Sequence, residues 1–342
     1  MNINEATTDA VREATTDAVR ALVCRSLGPD LQGVAVGGVA LNAPGPQEVH
    51  IRVRSAALNF PDLLMTEGRY QYKPDLPFVL GTEGAGEVLA CGRDVAQFKQ
   101  GDRVSFSVRC GAIAEQVVVD AAHVTGSPQE FNDDQAAAYH VGAITAYVAL
   151  VVRGNLQPGE TLLVHGASGG MGFAAVQLGV HLGANVIATG TSDTKLGVVT
   201  AAGAHHVLNL KNGFREQVKT LTAGEGADVI YDPVGGDVFD ESVRCIRWGG
   251  RLLVIGFAGG RIASIAANMP LIKGFSVVGV RAGEEVRHQP VLGPTYLRKV
   301  LALANAGVFK PHIGAVFTLD QSLEALKSLS RRQFAGKVVI RP

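Results

Sequence analysis

Eight consecutive residues, His165-Gly166-Ala167-Ser168-Gly169-Gly170-Met171-Gly172, carry the strongest chemical signal in the chain. They follow an apolar run at residues 161–165 that is sized for a buried strand, and they lead into a helical pattern from about Phe173. In that setting the spacing Ala167-x-Gly169-x-x-Gly172 is a dinucleotide fingerprint with alanine in its first place. Small residues there permit a tight turn and close helix–strand packing, and backbone amides at the helix start can meet a pyrophosphate. Ser168, Gly169, Gly170 and Met171 are the candidate contacts. The competing reading is glycines that only close a tight turn; the strand-helix-strand context favours the fingerprint.

The choice of nucleotide turns on the end of the next strand, where an acidic residue holds the ribose hydroxyls of NAD. Here a strand at residues 185–189 runs into Gly190, Thr191 and Ser192, with Lys195 three residues further on. A missing carboxylate removes repulsion toward a 2′-phosphate, and Lys195 can add a charge-assisted contact. The expectation is NADPH. The counter-reading is that Asp193 reaches a ribose, or that Ser192 and Asp193 only cap the next helix while Lys195 is solvated.

Around this site, residues 185–189, 207–210, 228–231, 251–255 and 275–280 read as strands, and residues 195–202, 214–221 and 237–247 as the helices between them. Such alternation predicts a parallel sheet with helices on both faces. Upstream, short apolar pieces at residues 34–41, 48–53, 86–89, 103–107 and 112–119, broken by glycine and proline, predict an all-β, barrel-like unit. A helical stretch at 133–152 joins the two. Helices at 296–306 and 319–332 and a strand at 337–340 follow the sixth strand of the sheet and are expected to return to the barrel. The fold class is therefore α/β, with a barrel domain of residues 1–142 and 283–342 and a doubly wound nucleotide domain of residues 143–282.

The chain has 342 residues, enough for two buried cores. Its 31 basic and 31 acidic residues cancel, which removes the electrostatic argument for nucleic acid or an anionic membrane as main partner. Cys24, Cys91, Cys110 and Cys245 are too scattered for a disulfide framework, so a reducing, cytoplasmic setting is expected. No apolar run has the length of a transmembrane helix, and the start lacks a signal-peptide core. Residues 5–12 recur as residues 13–20, and the first copy, within residues 1–16, reads as an extension of the fold.

With these features the chain resembles the medium-chain dehydrogenases/reductases, and within them the zinc-free quinone oxidoreductase (zeta-crystallin-like) branch. The matching stretches include Ala57-Leu58-Asn59-Phe60-Pro61-Asp62, Gly81-Thr82-Glu83-Gly84-Ala85-Gly86, Gly101-Asp102-Arg103-Val104 and Thr145-Ala146-Tyr147. Residues 158–177, Tyr231-Asp232-Pro233-Val234-Gly235-Gly236 and the tail Gly336-Lys337-Val338-Val339 continue them. Gly235-Gly236-Asp237-Val238-Phe239 and residues 254–260 most resemble its quinone oxidoreductase-like 2 subgroup. The resemblance implies a GroES-like β-barrel beside a Rossmann domain. It runs from about residue 17 to the end.

Zinc-dependent relatives place a cysteine where this chain has Asn59 and Gly-His-Glu where it has Gly81-Thr82-Glu83, and their four-cysteine lobe has no counterpart between Arg93 and Gly126. The resemblance thus implies no zinc. It places Asn59 near the nicotinamide, ordering the acceptor or a water, with Thr145, Gly256, Phe257 and Ala258 at the nicotinamide end and Val234 on the adenosine side. Tyr70, in Gly68-Arg69-Tyr70, matches a tyrosine implicated as proton donor in mitochondrial enoyl reductases; a packing lid is its other reading. The implied activity is NADPH-dependent hydride transfer to an electrophilic small molecule, a quinone or related activated carbonyl compound. The alternatives are an enone or enoyl-thioester reductase and a cofactor-binding protein with little turnover. The run Phe275-Ser276-Val277-Val278-Gly279-Val280 is expected to be an apolar edge strand that pairs with its mate in a homodimer.

Overall fold

The computed structural model describes residues 18–342, so the first copy of the repeated octapeptide lies outside the described residues. The described residues form two compact units, residues 18–140 with 313–342, and residues 141–312.

The first unit is the expected barrel. Its longest strand, Glu48–Ala57, alternates Val49, Ile51 and Val53 inward with His50, Arg52 and Arg54 on the other face, the two-residue period of a half-buried strand. Around it run Glu83–Cys91, Arg103–Ser107 and Val124–Gly126 on one side and Lys337–Arg341 with Ile313–Thr318 on the other, while Gln116–Asp120 also pairs with it. Val34–Val39, Val19–Cys24 and Phe78–Val79 make a separate three-stranded sheet. Leu22, Ile51, Leu58, Met65, Leu80, Phe106 and Ile113 fill the core between them.

The second unit is a six-stranded parallel sheet. Numbered along the chain from Thr161–Val164, its strands lie in the order 3-2-1-4-5-6, that of a Rossmann fold. Leu162, Leu163, Val164, Val186, Ile187 and Ile230 are buried, as expected where helices cover both faces. The sixth strand, Ser276–Gly279, is at the edge of the sheet as predicted, with Val277 exposed.

Three predicted features differ. The helical stretch at 133–152 is three pieces: Asp133–Ala138, His140–Tyr147 and a π-helical turn, Val148–Arg153. There Gly154 N donates to Ala149 O at 2.7 Å, five residues back, while Gly154 O accepts from Arg251 Nε, whose guanidinium also pairs with Glu160. The helix predicted at 237–247 stops at Ser242, because Ile246 already begins the fifth strand. Residues 283–312, expected with the barrel, belong to the second unit: the Tyr296 ring packs on Tyr147, Lys310 bonds through its backbone to Gln177, and His312 meets Phe173. Only from Ile313 does the chain rejoin the barrel. No helix among the described residues is long and apolar enough to cross a membrane.

Candidate active site

In the nucleotide unit, the predicted loop folds as a tight turn into the helix Gly170–His181. Gly166 takes φ +58°, Gly169 N donates back to Gly166 O at 2.9 Å, and Gly169 is the residue that caps the helix. The amides of Gly170, Met171 and Gly172 have no carbonyl a turn earlier in the helix, so they are donors available to an anion. A β-carbon on Gly172 would run into the Gly166 carbonyl, which is why this position excludes a side chain. The loop thus fits a pyrophosphate.

The other predicted contacts line the same, carboxyl-terminal edge of the sheet. Gly190 closes the second strand, Asn185–Gly190, and a β-carbon there would stand 3.1 Å from Leu196 Cδ2 and 3.8 Å from Ser168 Oγ, a space closed to a carboxylate side chain without displacement. Thr191 and Ser192 follow, Ser192 capping the helix Asp193–Ala201 through its backbone alone, and Lys195 is half-buried on its first turn. Asp193 is exposed and its Oδ1 accepts from Asn209 Nδ2 at 2.7 Å. Val234 lies beside Gly166, and both its amide and that of Gly235 donate to the buried Asp232, whose carboxyl burial pushes above the usual range. The loop holding Gly256, Phe257 and Ala258 is stitched to this turn by Ala258 N to Pro233 O and Gly259 N to Val234 O. Thr145 sits on the helix whose Gly142 abuts the Gly170 carbonyl, and its hydroxyl donates to Val141 O at 2.7 Å.

Behind the loop lies His165, wholly buried, with Nδ1 2.8 Å from Thr189 Oγ1 and Nε2 2.8 Å from Ser242 Oγ. Ser242 spends its single hydroxyl hydrogen on Val238 O at 2.7 Å, so it must accept from His165 Nε2–H, and Nδ1 must accept from Thr189. Both ring nitrogens are thus satisfied in the neutral form, and burial pushes the imidazole down to about 3.

In the barrel unit, Asn59 lies two residues beyond the strand Glu48–Ala57 and caps the start of the helix Phe60–Thr66, with Pro61 in the first turn, where its missing N–H costs nothing. Asn59 is buried and held from every side. Its Oδ1 accepts from Lys337 Nζ at 2.7 Å, and its Nδ2 donates to Glu83 Oε1 at 2.9 Å and Thr82 Oγ1 at 3.0 Å. Lys337 and Glu83 form a buried ion pair at 2.7 Å. Asp62 accepts from the amides of Asn59 and Gly81; burial pushes its carboxyl up to about 7 even though these amides and Lys337 pull it down. His140, also buried, has an Nδ1 without a partner among the described residues, and burial pushes its imidazole down. Tyr70 is half-buried with its ring against the barrel core, and its hydroxyl has no hydrogen-bond partner among the described residues.

Of the residues that stand where zinc-dependent relatives carry metal ligands, Asn59 and Glu83 both accept from the Lys337 ammonium, and Thr82 accepts from Asn59. That donor set does not fit a zinc ion, since the cation position is taken by Lys337 and the ligands left are an amide, a hydroxyl and a carboxylate. Sequence reasoning noticed Lys337 only as part of a tail motif and missed Asp62 and His165 as anchors. Nothing in local spacing ties residue 337 to residue 83; a lysine inside an apolar strand, Lys337-Val338-Val339-Ile340, was the available signal.

A barrel joined to a Rossmann sheet, with a glycine turn at its first strand, defines a nucleotide-dependent oxidoreductase of the dehydrogenase type. Residues 45–154 match the alcohol dehydrogenase GroES-like domain family, and residues 170–295 the zinc-binding dehydrogenase family. The quinone oxidoreductase-like protein 2 homolog of Nematostella vectensis is 39% identical over 94% of this chain and 88% of its own length. Among solved structures, a quinone oxidoreductase of Pseudomonas syringae is 28% identical with a TM-score of 0.85, covering 95% of this chain and 100% of its own. A mycobacterial protein complexed with NADPH is 26% identical with a TM-score of 0.86, covering 94% and 100%. The chain belongs to the medium-chain dehydrogenase/reductase superfamily, among its quinone oxidoreductase-like members.

Proposed function

We propose that this protein is an NADPH-dependent reductase that works without zinc and transfers hydride to quinones or related activated carbonyl compounds. The observation that carries the cofactor choice is Gly190 at the end of the second strand. No carboxylate stands there, Lys195 lies on the next turn, and Asp193, the acidic residue nearest in sequence, is tied to Asn209. A reduced nicotinamide held by this unit supplies the hydride. The chain's own part is to bind the pyrophosphate on the Gly170–Gly172 amides, to hold the 2′-phosphate with Lys195, and to present the unpartnered Tyr70 hydroxyl to the acceptor. The quinone class is supported by the names of the relatives, and independence of zinc by the ammonium among the aligned ligand positions.

The test is NADPH oxidation followed by absorbance with a quinone, an enone and an enoyl thioester in parallel. Quinone turnover with NADPH preferred over NADH is expected. Lys195→Ala should weaken NADPH binding by about 1.5–3 kcal/mol, the worth of a hydrogen bond to a charged group, and leave NADH binding unchanged. An unaltered preference between the two nucleotides overturns the assignment of Lys195.

We also propose a homodimer through the sixth strand. Ser276–Gly279 is an edge strand unpaired on its outer side among the described residues, and Val277 on it is exposed together with Trp248, Leu271 and Ile272 on neighbouring elements, Trp248 at 74% and Leu271 at 80%. An apolar edge of this kind calls for a partner. Sedimentation at micromolar concentration should give twice the chain mass, and a monomer refutes the pairing.

A further inference from the structure

The hydrogen bonds around Asn59 have a forced direction. Lys337 Nζ has only hydrogens to give and Glu83 Oε1 only lone pairs. Asn59 touches both, so its carboxamide has a single orientation, with Oδ1 toward Lys337 at 2.7 Å and Nδ2 toward Glu83 at 2.9 Å. The reverse would set an NH₂ against an ammonium and an oxygen against a carboxylate. The second amide hydrogen goes to Thr82 Oγ1 at 3.0 Å, nearer than the Ala57 carbonyl at 3.4 Å. Thr82 is thereby used as an acceptor, and its own hydroxyl hydrogen has no acceptor among the described residues. Asn59, Glu83 and Lys337 are buried, whereas Thr82 is half-buried. The chain of donors starts at a buried ammonium and ends on the half-buried Thr82 hydroxyl.

We propose that Thr82 is a catalytic residue: its hydroxyl donates a hydrogen bond to the carbonyl oxygen of the electron acceptor, with Lys337 and Asn59 as the positioning residues that aim it. This rests on the reductase reading above. As hydride reaches the carbon skeleton, the C=O π pair moves onto oxygen, the Thr82 hydrogen bond strengthens with the growing charge, and water supplies the proton that the oxygen finally takes. Thr82 itself is neither deprotonated nor oxidised. A donor aimed at developing negative charge acts in the transition state more than in the ground state, so its loss falls on kcat.

The experiment compares Thr82→Val, which keeps the shape and removes the hydroxyl, with Thr82→Ser, which keeps the hydroxyl, in the full chain with benzoquinone and a cyclic enone as acceptors. Thr82→Val should lower kcat by about 10²-fold with NADPH affinity unchanged, while Thr82→Ser stays within about threefold of the parent. Removing the ion pair together, in Lys337→Met/Glu83→Gln, frees the Asn59 amide to turn; it should lower kcat similarly, and adding Thr82→Val should cost little more. Parent-like kcat in Thr82→Val, or equal impairment in Thr82→Ser, overturns the proposal. A parent protein inert toward every acceptor overturns the reductase reading instead, and the hydroxyl is then read by vibrational spectroscopy of bound ¹³C-carbonyl benzoquinone. A red-shifted carbonyl stretch lost in Thr82→Val supports the donor; identical stretches, or no bound quinone, overturn it.

Discussion

Around Asn59 the barrel unit buries an ammonium and two carboxyl groups; around His165 the nucleotide unit buries a neutral imidazole, two hydroxyls and no formal charge. Both hubs hold residues of the candidate site in place, yet they do so on different terms. A charged hub imposes direction, because ammonium and carboxylate each have one hydrogen-bonding polarity, and it orients Asn59 without ambiguity. A neutral hub imposes direction only through a chain of used-up hydrogens, from Val238 O to Ser242 to His165 to Thr189. The first is stiff and vulnerable to loss of one partner. The second tolerates proton exchange poorly but holds no unpaired charge if cut.

The largest expected effect comes from breaking the charged hub on one side. Lys337→Met leaves Glu83 buried without its counter-ion and should cost about 3–5 kcal/mol in denaturant unfolding, most of it recovered when Glu83→Gln is added. Small, equal losses in the single and double variants would remove the distinction between the hubs.

A smaller effect separates the two by pH. Asp62 has its folded pKa raised to about 7 from 3.8, so its contribution to stability is full below 3.8 and is lost as pH rises through 7. His165 has its folded pKa lowered to about 3 from 6.5, so its contribution is present above 6.5 and is lost as pH falls toward 3. Between pH 3.8 and 6.5 the two oppose each other, each by at most about 1.4 kcal/mol per pH unit. Urea titrations across that window should show Asp62→Asn tilting stability toward neutral pH and His165→Gln tilting it toward acid. Slopes moving the same way in both variants would contradict the opposed signs.

Much of the nucleotide unit is legible in sequence because its logic is local. A strand, a turn and a helix within about thirty residues place Ser168 to Met171, and the next strand end places Gly190. The helix expected at 237–247 fails at its end, since Arg247 was counted as helix although Ile246 already opens a strand whose register is set by neighbours far away. The barrel site is legible only in part. Asn59 and Tyr70 came forward through resemblance, whereas their setting depends on pairings across the chain, such as Lys337–Arg341 beside Glu48–Ala57, that no spacing rule predicts. The return at Ile313 was misplaced for the same reason: the helix Gly293–Asn305 has an amphipathic pattern that would suit either unit.

Lys337 and Glu83 are 254 positions apart, and the whole nucleotide unit, residues 141–312, is inserted between them. During synthesis the carboxylate is therefore made long before its ammonium, and a barrel closed early would hold Glu83 in its core with nothing opposite. Vectorial folding is thus biased in order. The nucleotide unit, being contiguous, can complete its sheet while the barrel's inner strand stays solvated. The last strand then delivers both the pairing that joins Ile313–Thr318 to Glu48–Ala57 and the charge that lets the interior close.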